Sequence, residues 1–473
     1  MYLVKNFSEN PITIETFTNF KKKSEMMKSN VLFLLIDSFR ADKCRGDSKT
    51  SVTPHIDSLI ENGIYFEQAI GSVDGTTLSL NSIFTSLYPY RSEIRIKKLY
   101  SRDSNFIHIL KNFGYHVYGV MPDLTSFSSL ANYCENKDST YNAGPPSEHL
   151  WDGSGLRIID ILQNKKMKEP WIFFIHLFDL HWPLIIPKEY DNESYGESKY
   201  ERVVSAIDFW IGKILEKIDL RDTLVVLTAD HGALIPVSDK GITDFEPDLT
   251  LGLKLGKSLM PKFTHPAGSK FFIFLRTIVR QIRLAKANRK LTPYQKRSRL
   301  PYFTRSLYDE SIHVPLIFAG NGINHKIIPQ QVSTIDIFPT IGEMVGMPIR
   351  KESIQGRSLV PLFEGKKFDE LPIYIQSMPY ETISSEDVIG LRTFEYKYFR
   401  DAYDATKKVN LYNLKIDPQE NNNIAQSHPG VVKVMERILM EIIKYAPVER
   451  EQEEISDEET KKIQQELKKL GYM

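Results

Sequence analysis

VLFLLID (residues 31–37) decides the fold. Six consecutive apolar residues closing on an acid read as a strand buried on both faces, the kind found in parallel sheets covered by helices. Asp37 then stands at the carboxyl end of that strand, where open α/β sheets bind their ligands. Moving outward, TPHIDSLIENG (53–63) has helical spacing, with Pro54 suited to the first turn and Gly63 to the C-terminal stop. IYFEQAI (64–70) reads as a strand, FIHILKNFGY (106–115) as an amphipathic helix and HVYGVM (116–121) as the strand after it. The alternation returns in the buried strand WIFFIHLFD (171–179), the long amphipathic helix KYERVVSAIDFWIGKILEKI (199–218) and the strand TLVVLTAD (223–230). Such alternation predicts an α/β fold: a mostly parallel sheet with helices on both faces. Asp37, His176, Asp179, Asp230 and His231 all fall at or just past predicted strand ends, the first sign of a site.

Near residue 370 the texture changes. IYIQS (373–377), VIGLRT (388–393), YKYFR (396–400) and VNLYNL (409–414) predict a smaller antiparallel sheet beside the main one. The expected organisation is an N-terminal extension (1–29), an α/β domain (30–369), an antiparallel subdomain (370–447) and a charged helical tail (448–473). Within the α/β domain, residues 251–307 contain no Asp or Glu. Their core, 270–290, places Arg276, Arg280, Arg283 and Lys290 on one helical stripe and Phe271, Leu275, Ile278 and Ile282 on another. A basic amphipathic helix of this kind lies on an anionic membrane surface, grips an anionic substrate, or simply packs as a surface helix.

Composition narrows the function classes. The 473 residues carry 61 Lys+Arg against 60 Asp+Glu, and this balance argues against a nucleic-acid binder running on bulk charge. Two cysteines, Cys44 and Cys134, make no disulfide framework and fit a reducing compartment. No apolar run approaches the roughly 18–20 residues of a membrane span, and the first 28 residues show no signal-peptide core. The expectation is a cytoplasmic protein, with peripheral contact to the inner membrane face through 270–290 as an option.

Three separated pieces carry chemistry: Asp37, the hydroxyl cluster GTTLSLNSIFTSLYPYR (75–91) at a helix start, and TADHG (228–232). An adjacent Asp–His pair at a strand end, with a second acid elsewhere, can offer oxygen and nitrogen ligands to a divalent cation. By itself, such a pair is more often a structural capping arrangement.

In order along the chain, LLIDSFRAD (34–42), TPHIDSLIENG (53–63), IFTSLYPYR (83–91), TADHG (228–232), LYDESIHVPLIFAGNG (307–322), VSTIDIFPTIGEMVGMP (332–348), GRSLVPLFEG (356–365) and LYNLKIDPQENNNIA (411–425) resemble the sulfatase branch of the alkaline-phosphatase superfamily. The resemblance spans about residues 30–426. It implies an alkaline-phosphatase-like mixed sheet, a C-terminal antiparallel subdomain and metal-assisted attack on a sulfur or phosphorus ester. In the family, a Cys/Ser-x-Pro-Ser-Arg segment starts nine residues before the Thr of a Thr-Gly step. Anchoring that Thr at Thr85 puts the nucleophile at Thr76, in Thr76-Thr77-Leu78-Ser79-Leu80. The departures are large: no Cys or Ser at the first position, no Pro, and no final Arg. Threonine cannot be oxidised to the formylglycine that sulfatases use, yet it can attack phosphorus directly when a metal lowers its pKa.

By the same resemblance, Asp37, Thr76, Asp230 and His231 hold one divalent cation (Mn, Mg or Ca). The family's Lys-x-His finds no match near Val120–Pro122, the Lys before LYDES becomes Thr304 with Arg305 beside it, and the second acid of its Asp-Asp start is Ser38. A pocket stripped of these groups suits sulfate poorly. HLFDLHWP (176–183) matches the family's Asp-x-His-x-Pro. His181 would face the transferred group as general acid or hydrogen-bond donor, unless it stacks in the core beside Trp182. Asp179 would orient that ring or bind substrate, Arg305 would contact substrate, and His176 reads as buried structure. Arg91 would hold a loop, and Arg40 is no firm substrate ligand.

The favoured expectation is phosphodiester or phosphotransfer chemistry through a covalent Thr76 intermediate on a small-molecule, glycan-linked or lipid-linked ester. The alternatives are a sulfuric ester hydrolase and a noncatalytic member that binds an anionic glycan or lipid.

Overall fold

The computed structural model describes residues 29–89, 105–144, 147–164, 167–235, 291–297, 306–378 and 387–444, with isolated positions in 278–289 and 458–466. All seven residues of β1 (Asn30–Ile36) are buried, as their unbroken apolar character requires. α1 (Pro54–Glu61) begins on Pro54 as expected. Gly63, however, does not stop that helix: Asn62 caps it and Gly63 opens β2 (Gly63–Ile70). A Cβ there would stand 2.5 Å from the Phe318 carbonyl oxygen, so glycine is required by the close approach of a neighbouring strand.

α2 (Thr76–Thr85), α3 (Phe106–Asn112), β3 (His116–Pro122) and β4 (Thr140–Tyr141) follow. After them come α4 (Gly155–Asn164), β5 (Trp171–Leu177), α5 (Lys199–Leu215) and β6 (Thr223–Thr228). α5 starts on a capping box in which the Ser198 hydroxyl accepts from Glu201 N while the Glu201 carboxylate accepts from Ser198 N. The chain continues through β7 (His313–Val314), β8 (Leu316–Gly320), β9 (Lys326–Ser333) and α6 (Ile337–Met344).

The main sheet runs β4-β3-β5-β1-β6-β8-β2-β7, with β9 paired to β2. β3, β5, β1 and β6 form a parallel block, and β8 turns antiparallel against β6 and β2. The sheet is therefore mixed but parallel at its centre. α2 and α3 are fastened to one face by aromatic packing: Phe84 lies 6.5 Å from Phe33 and 5.4 Å from Phe174, and Phe106 lies 5.9 Å from Phe33. Such ring pairs contribute roughly 0.5–1.5 kcal/mol each beyond burial. They fix where α2 begins.

The C-terminal pieces fold as expected into an antiparallel sheet, β10 (Ile373–Gln376), β11 (Val388–Arg392), β12 (Tyr396–Asp401) and β13 (Asn410–Asn413), in sequential order. α7 (Pro429–Lys444) covers it with Met435 and Leu439 against Tyr374, Leu391, Tyr398 and Leu411. A buried ionic cluster joins this sheet to residues 309–310. Arg392 pairs with Asp309 at 2.8 Å, Lys397 pairs with Asp309 and with Glu420 at 2.9 Å, and Arg297 pairs with Glu310 at 3.0 Å. Burial pushes the Asp309 carboxyl up, but Arg392 and Lys397 outweigh it and hold the group well below the usual range.

The basic stripe Arg276, Arg280, Arg283 and Lys290 lies outside the described residues, as does nearly all of the tail 448–473. Among the described residues no helix is long and apolar enough to cross a membrane.

Candidate metal and ester site

Three adjacent parallel strands converge on one point. β1 sits between β5 and β6, with Leu35 opposite both His176 and Thr228. Asp37 N extends the ladder by donating to Leu177 O at 2.8 Å. The carboxyl ends of β1, β5 and β6 thus deliver Asp37, His176 and Asp230 together, and their ligand atoms all lie within 4.8 Å of one another.

The hydroxyl comes from the other layer. Thr76 is the first residue of α2, after an extended Gly75 whose Cβ position would run into the Met378 side chain. The preceding loop is pinned to the small sheet: Gln376 N donates to Ser72 O at 2.9 Å, and Asp74 accepts from Met378 N at 2.6 Å and Ser306 N at 2.7 Å. Thr76 Oγ1 ends 3.1 Å from Asp37 Oδ2 and 3.2 Å from His231 Nε2.

The polar atoms of the site are aimed. His231 Nδ1 donates to Gly232 O at 2.7 Å, so Nε2 turns its lone pair towards Thr76. Asp230 Oδ1 accepts from Ser38 N at 3.1 Å and His231 N at 2.8 Å, while Oδ2 is buried without a hydrogen-bond partner. Asp37 Oδ1 accepts from the Ser38 hydroxyl at 2.6 Å. Behind them, Arg40 binds Asp42, Ala233 O and the Tyr294 hydroxyl, so it fastens the loop after His231.

The electrostatics of the site suit a bound cation. Burial and the charge of Asp230 push the Asp37 carboxyl up to about 8. Burial also works against Asp230, but His231 and His176 outweigh it and keep that carboxyl below its usual range. Burial lowers His231, and the two carboxylates more than reverse it, raising the ring's pKa. Burial takes His176 down to about 4. Two carboxylates this close and dry ionise together only with positive charge between them. A hard oxygen and nitrogen set of this kind suits a cation such as Mg²⁺ or Mn²⁺. We therefore expect protein prepared without chelator to carry a divalent metal and Asp230→Ala to lose most of it. Elemental analysis showing equal metal in both would remove Asp230 from the site.

Of the residues expected from sequence, the structure assembles Asp37, Thr76, Asp230 and His231. His176, expected as buried structure, is fully buried, and its ring lies within reach of the Asp37 and Asp230 carboxylates. The available signal was its place at the end of a buried strand, beside the more conspicuous His181. Asp179 does not orient His181. Its Oδ1 accepts from Leu150 N at 2.9 Å, and burial pushes the carboxyl up to about 6. His181 Nδ1 instead donates to Trp182 O at 2.8 Å, and the ring stacks on Phe178 at 4.2 Å. Burial draws His181 down to about 3. Arg305 and Arg91 lie outside the described residues.

The sulfatase family model matches residues 29–347, and the model for the C-terminal region of N-sulphoglucosamine sulphohydrolase matches 301–446. Arylsulfatase K of Mus musculus is 30% identical over 154 residues, which is 31% of this chain and 28% of that protein. Arylsulfatase K of Bos taurus is 32% identical over the same length, again 31% of this chain and 28% of the relative. The matched stretch thus spans under a third of these relatives' length.

Among solved structures, a 2-O GAG sulfatase superposes with TM-score 0.62 at 18% identity, covering 88% of this chain and 92% of its own. A protein solved with its substrate D-glucosamine-2-N,6-O-disulfate gives 0.61 at 15%, covering 88% and 98%. A phosphonate monoester hydrolase from Silicibacter pomeroyi gives 0.60 at 16%, covering 89% and 96%. At these identities the superpositions show a shared fold.

Proposed function

The chain belongs to the sulfatase family, and on that premise we propose that it is a metal-dependent hydrolase of a sulfuric ester with Thr76 as nucleophile. The observation that carries the reading is Thr76 Oγ1, held at a helix head 3.1 Å from Asp37 Oδ2 and 3.2 Å from His231 Nε2. Asp37, Asp230 and His231 would hold a divalent cation, which would lower the Thr76 hydroxyl pKa and offset the charge of the ester. Asp37 Oδ2 accepts the Thr76 proton's hydrogen bond in the resting site and keeps the oxygen aimed outward. As Asp37 Oδ2 takes the Thr76 proton, the bond from Thr76 Oγ1 to the central atom forms and the bond to the leaving alcohol oxygen breaks. Water then cleaves the Thr76 ester. The N-terminus of α2 favours the negative charge gathered there. With Nδ1–H committed to Trp182 O, His181 donates to the leaving oxygen only after Nε2 takes up a proton, which the arriving anion promotes.

Threonine itself favours a second reading. It cannot become formylglycine, so the attack is direct, and direct attack suits phosphorus: the phosphodiester or phosphotransfer chemistry expected from the sequence. Family membership and the arylsulfatase relatives support sulfuric esters instead. Paired aryl sulfate, phosphodiester and phosphomonoester substrates with Mn²⁺, Mg²⁺ and Ca²⁺ separate the two. Metal-dependent turnover of the sulfate, absent in Thr76→Ala, supports the first reading; turnover of phosphorus esters alone overturns it in favour of the second. If neither class turns over, the site binds an anionic ligand without catalysis. Sulfated sugars are the natural substrates to follow, since proteins of this fold have been solved with such molecules.

A further inference from the structure

His176 is wholly buried, and neither of its ring nitrogens has a hydrogen-bond partner. Desolvating an imidazole without replacing its bonds to water is unfavourable, so the ring needs a partner that the described protein groups do not provide. Its surroundings define that partner. Phe127, Phe174 and Phe178 enclose the ring at centroid distances of 5.4, 6.2 and 5.9 Å, and aromatic walls of this kind offer no strong acceptor. On the polar side Nε2 stands 4.0 Å from Asp37 Oδ2, too long for a hydrogen bond. Asp230 Oδ2, the other buried orphan of the site, belongs to the same cluster. Two ligands of one cation stand roughly 3–5 Å apart when each binds at about 2.1–2.5 Å. A spacing useless for direct bonding is therefore the spacing of shared coordination.

We propose that His176 Nε2 is a direct ligand of the cation held by Asp37 and Asp230, so that the site has two imidazole ligands, His176 from β5 and His231 after β6. The inference rests on the metal-dependent reading above and adds a ligand to it. Strand order supplies the physical basis: β5 and β6 flank β1, so the ends of both strands lie beside Asp37, where His176 Nε2 stands 4.0 Å from Asp37 Oδ2 and His231 Nε2 stands 3.5 Å from Asp230 Oδ2.

The test uses the full chain loaded with Mn²⁺ after ¹⁵N-histidine labelling. Electron-spin-echo modulation should show two directly bound imidazole nitrogens in the wild type and one in His176→Phe, a ring that suits the aromatic box. Titration should show Mn²⁺ bound on the order of 10–100-fold more weakly by His176→Phe, the range typical for lost metal-site partners. His176→Gln, whose amide oxygen is a poorer ligand, should fall between them. One imidazole in the wild type overturns the inference while leaving the metal site standing, and so does unchanged affinity in both variants. A wild type that binds no Mn²⁺, Mg²⁺ or Ca²⁺ overturns both the inference and the metal-dependent function. The wild-type spectrum decides the matter even if a variant does not fold.

Discussion

Thr76→Ala is expected to lower turnover of whichever ester proves to be the substrate by about 10³-fold or more, the scale of loss for a covalent nucleophile. Its thermal unfolding should stay close to that of the wild type, because the hydroxyl contributes little packing. Thr77, the adjacent hydroxyl, provides the control. The nine-residue spacing to Thr85 selects Thr76, and the structure puts Thr76 Oγ1 within 3.2 Å of both Asp37 and His231. Thr77→Ala should therefore leave most of the turnover. The reverse pattern, with Thr77→Ala inactive and Thr76→Ala active, would mean that the register is wrong by one residue.

The second large effect lies away from the site. Lys397 is completely buried between Asp309 and Glu420, with Arg392 completing the charge balance. Replacing it by Met leaves two dry carboxylates short of a cation, and breaking a buried pair in this way costs about 3–5 kcal/mol. Urea unfolding should show a markedly lower midpoint for Lys397→Met. The pH dependence carries a sign. Burial and then its acidic neighbours push Glu420 from 4.5 up to about 7, even against the pull of Lys397. Between those values the folded state holds the extra proton, so this group's contribution to stability falls as pH rises through about 7. The deficit of Lys397→Met should accordingly be larger at pH 8 than at pH 6, and Glu420→Gln added to it should recover part of the loss. Coincident unfolding curves for wild type and Lys397→Met would show that the cluster contributes no net stability.

Some of this protein was legible in its residues alone. VLFLLID had to be a strand covered on both faces, because six apolar side chains in a row leave no face for water, and alternation with amphipathic helices then required an α/β sheet. Asp37, Asp230 and His231 could be placed because strand ends are local features, and Thr76 because the resembling family's nine-residue spacing to Thr85 could be laid on the chain. The antiparallel texture of 373–414 was visible for the same reason.

Strand order is not local. Nothing within WIFFIHL says that β5 lies against β1 on the side opposite β6, and only that neighbourhood carries His176 to the carboxylates. The partner of Asp179 was equally hidden, since Leu150 N reaches it through the folding of a separate segment. Gly63 looked like a helix stop until Phe318 from another strand was packed against it. Short-range patterning sets which elements form, because it is read in hydrogen bonds and side-chain periods a few residues long. Which buried polar atoms meet depends on how those elements stack, and for that the hydrophobic run of β1 offers two equivalent edges between which only tertiary packing chooses.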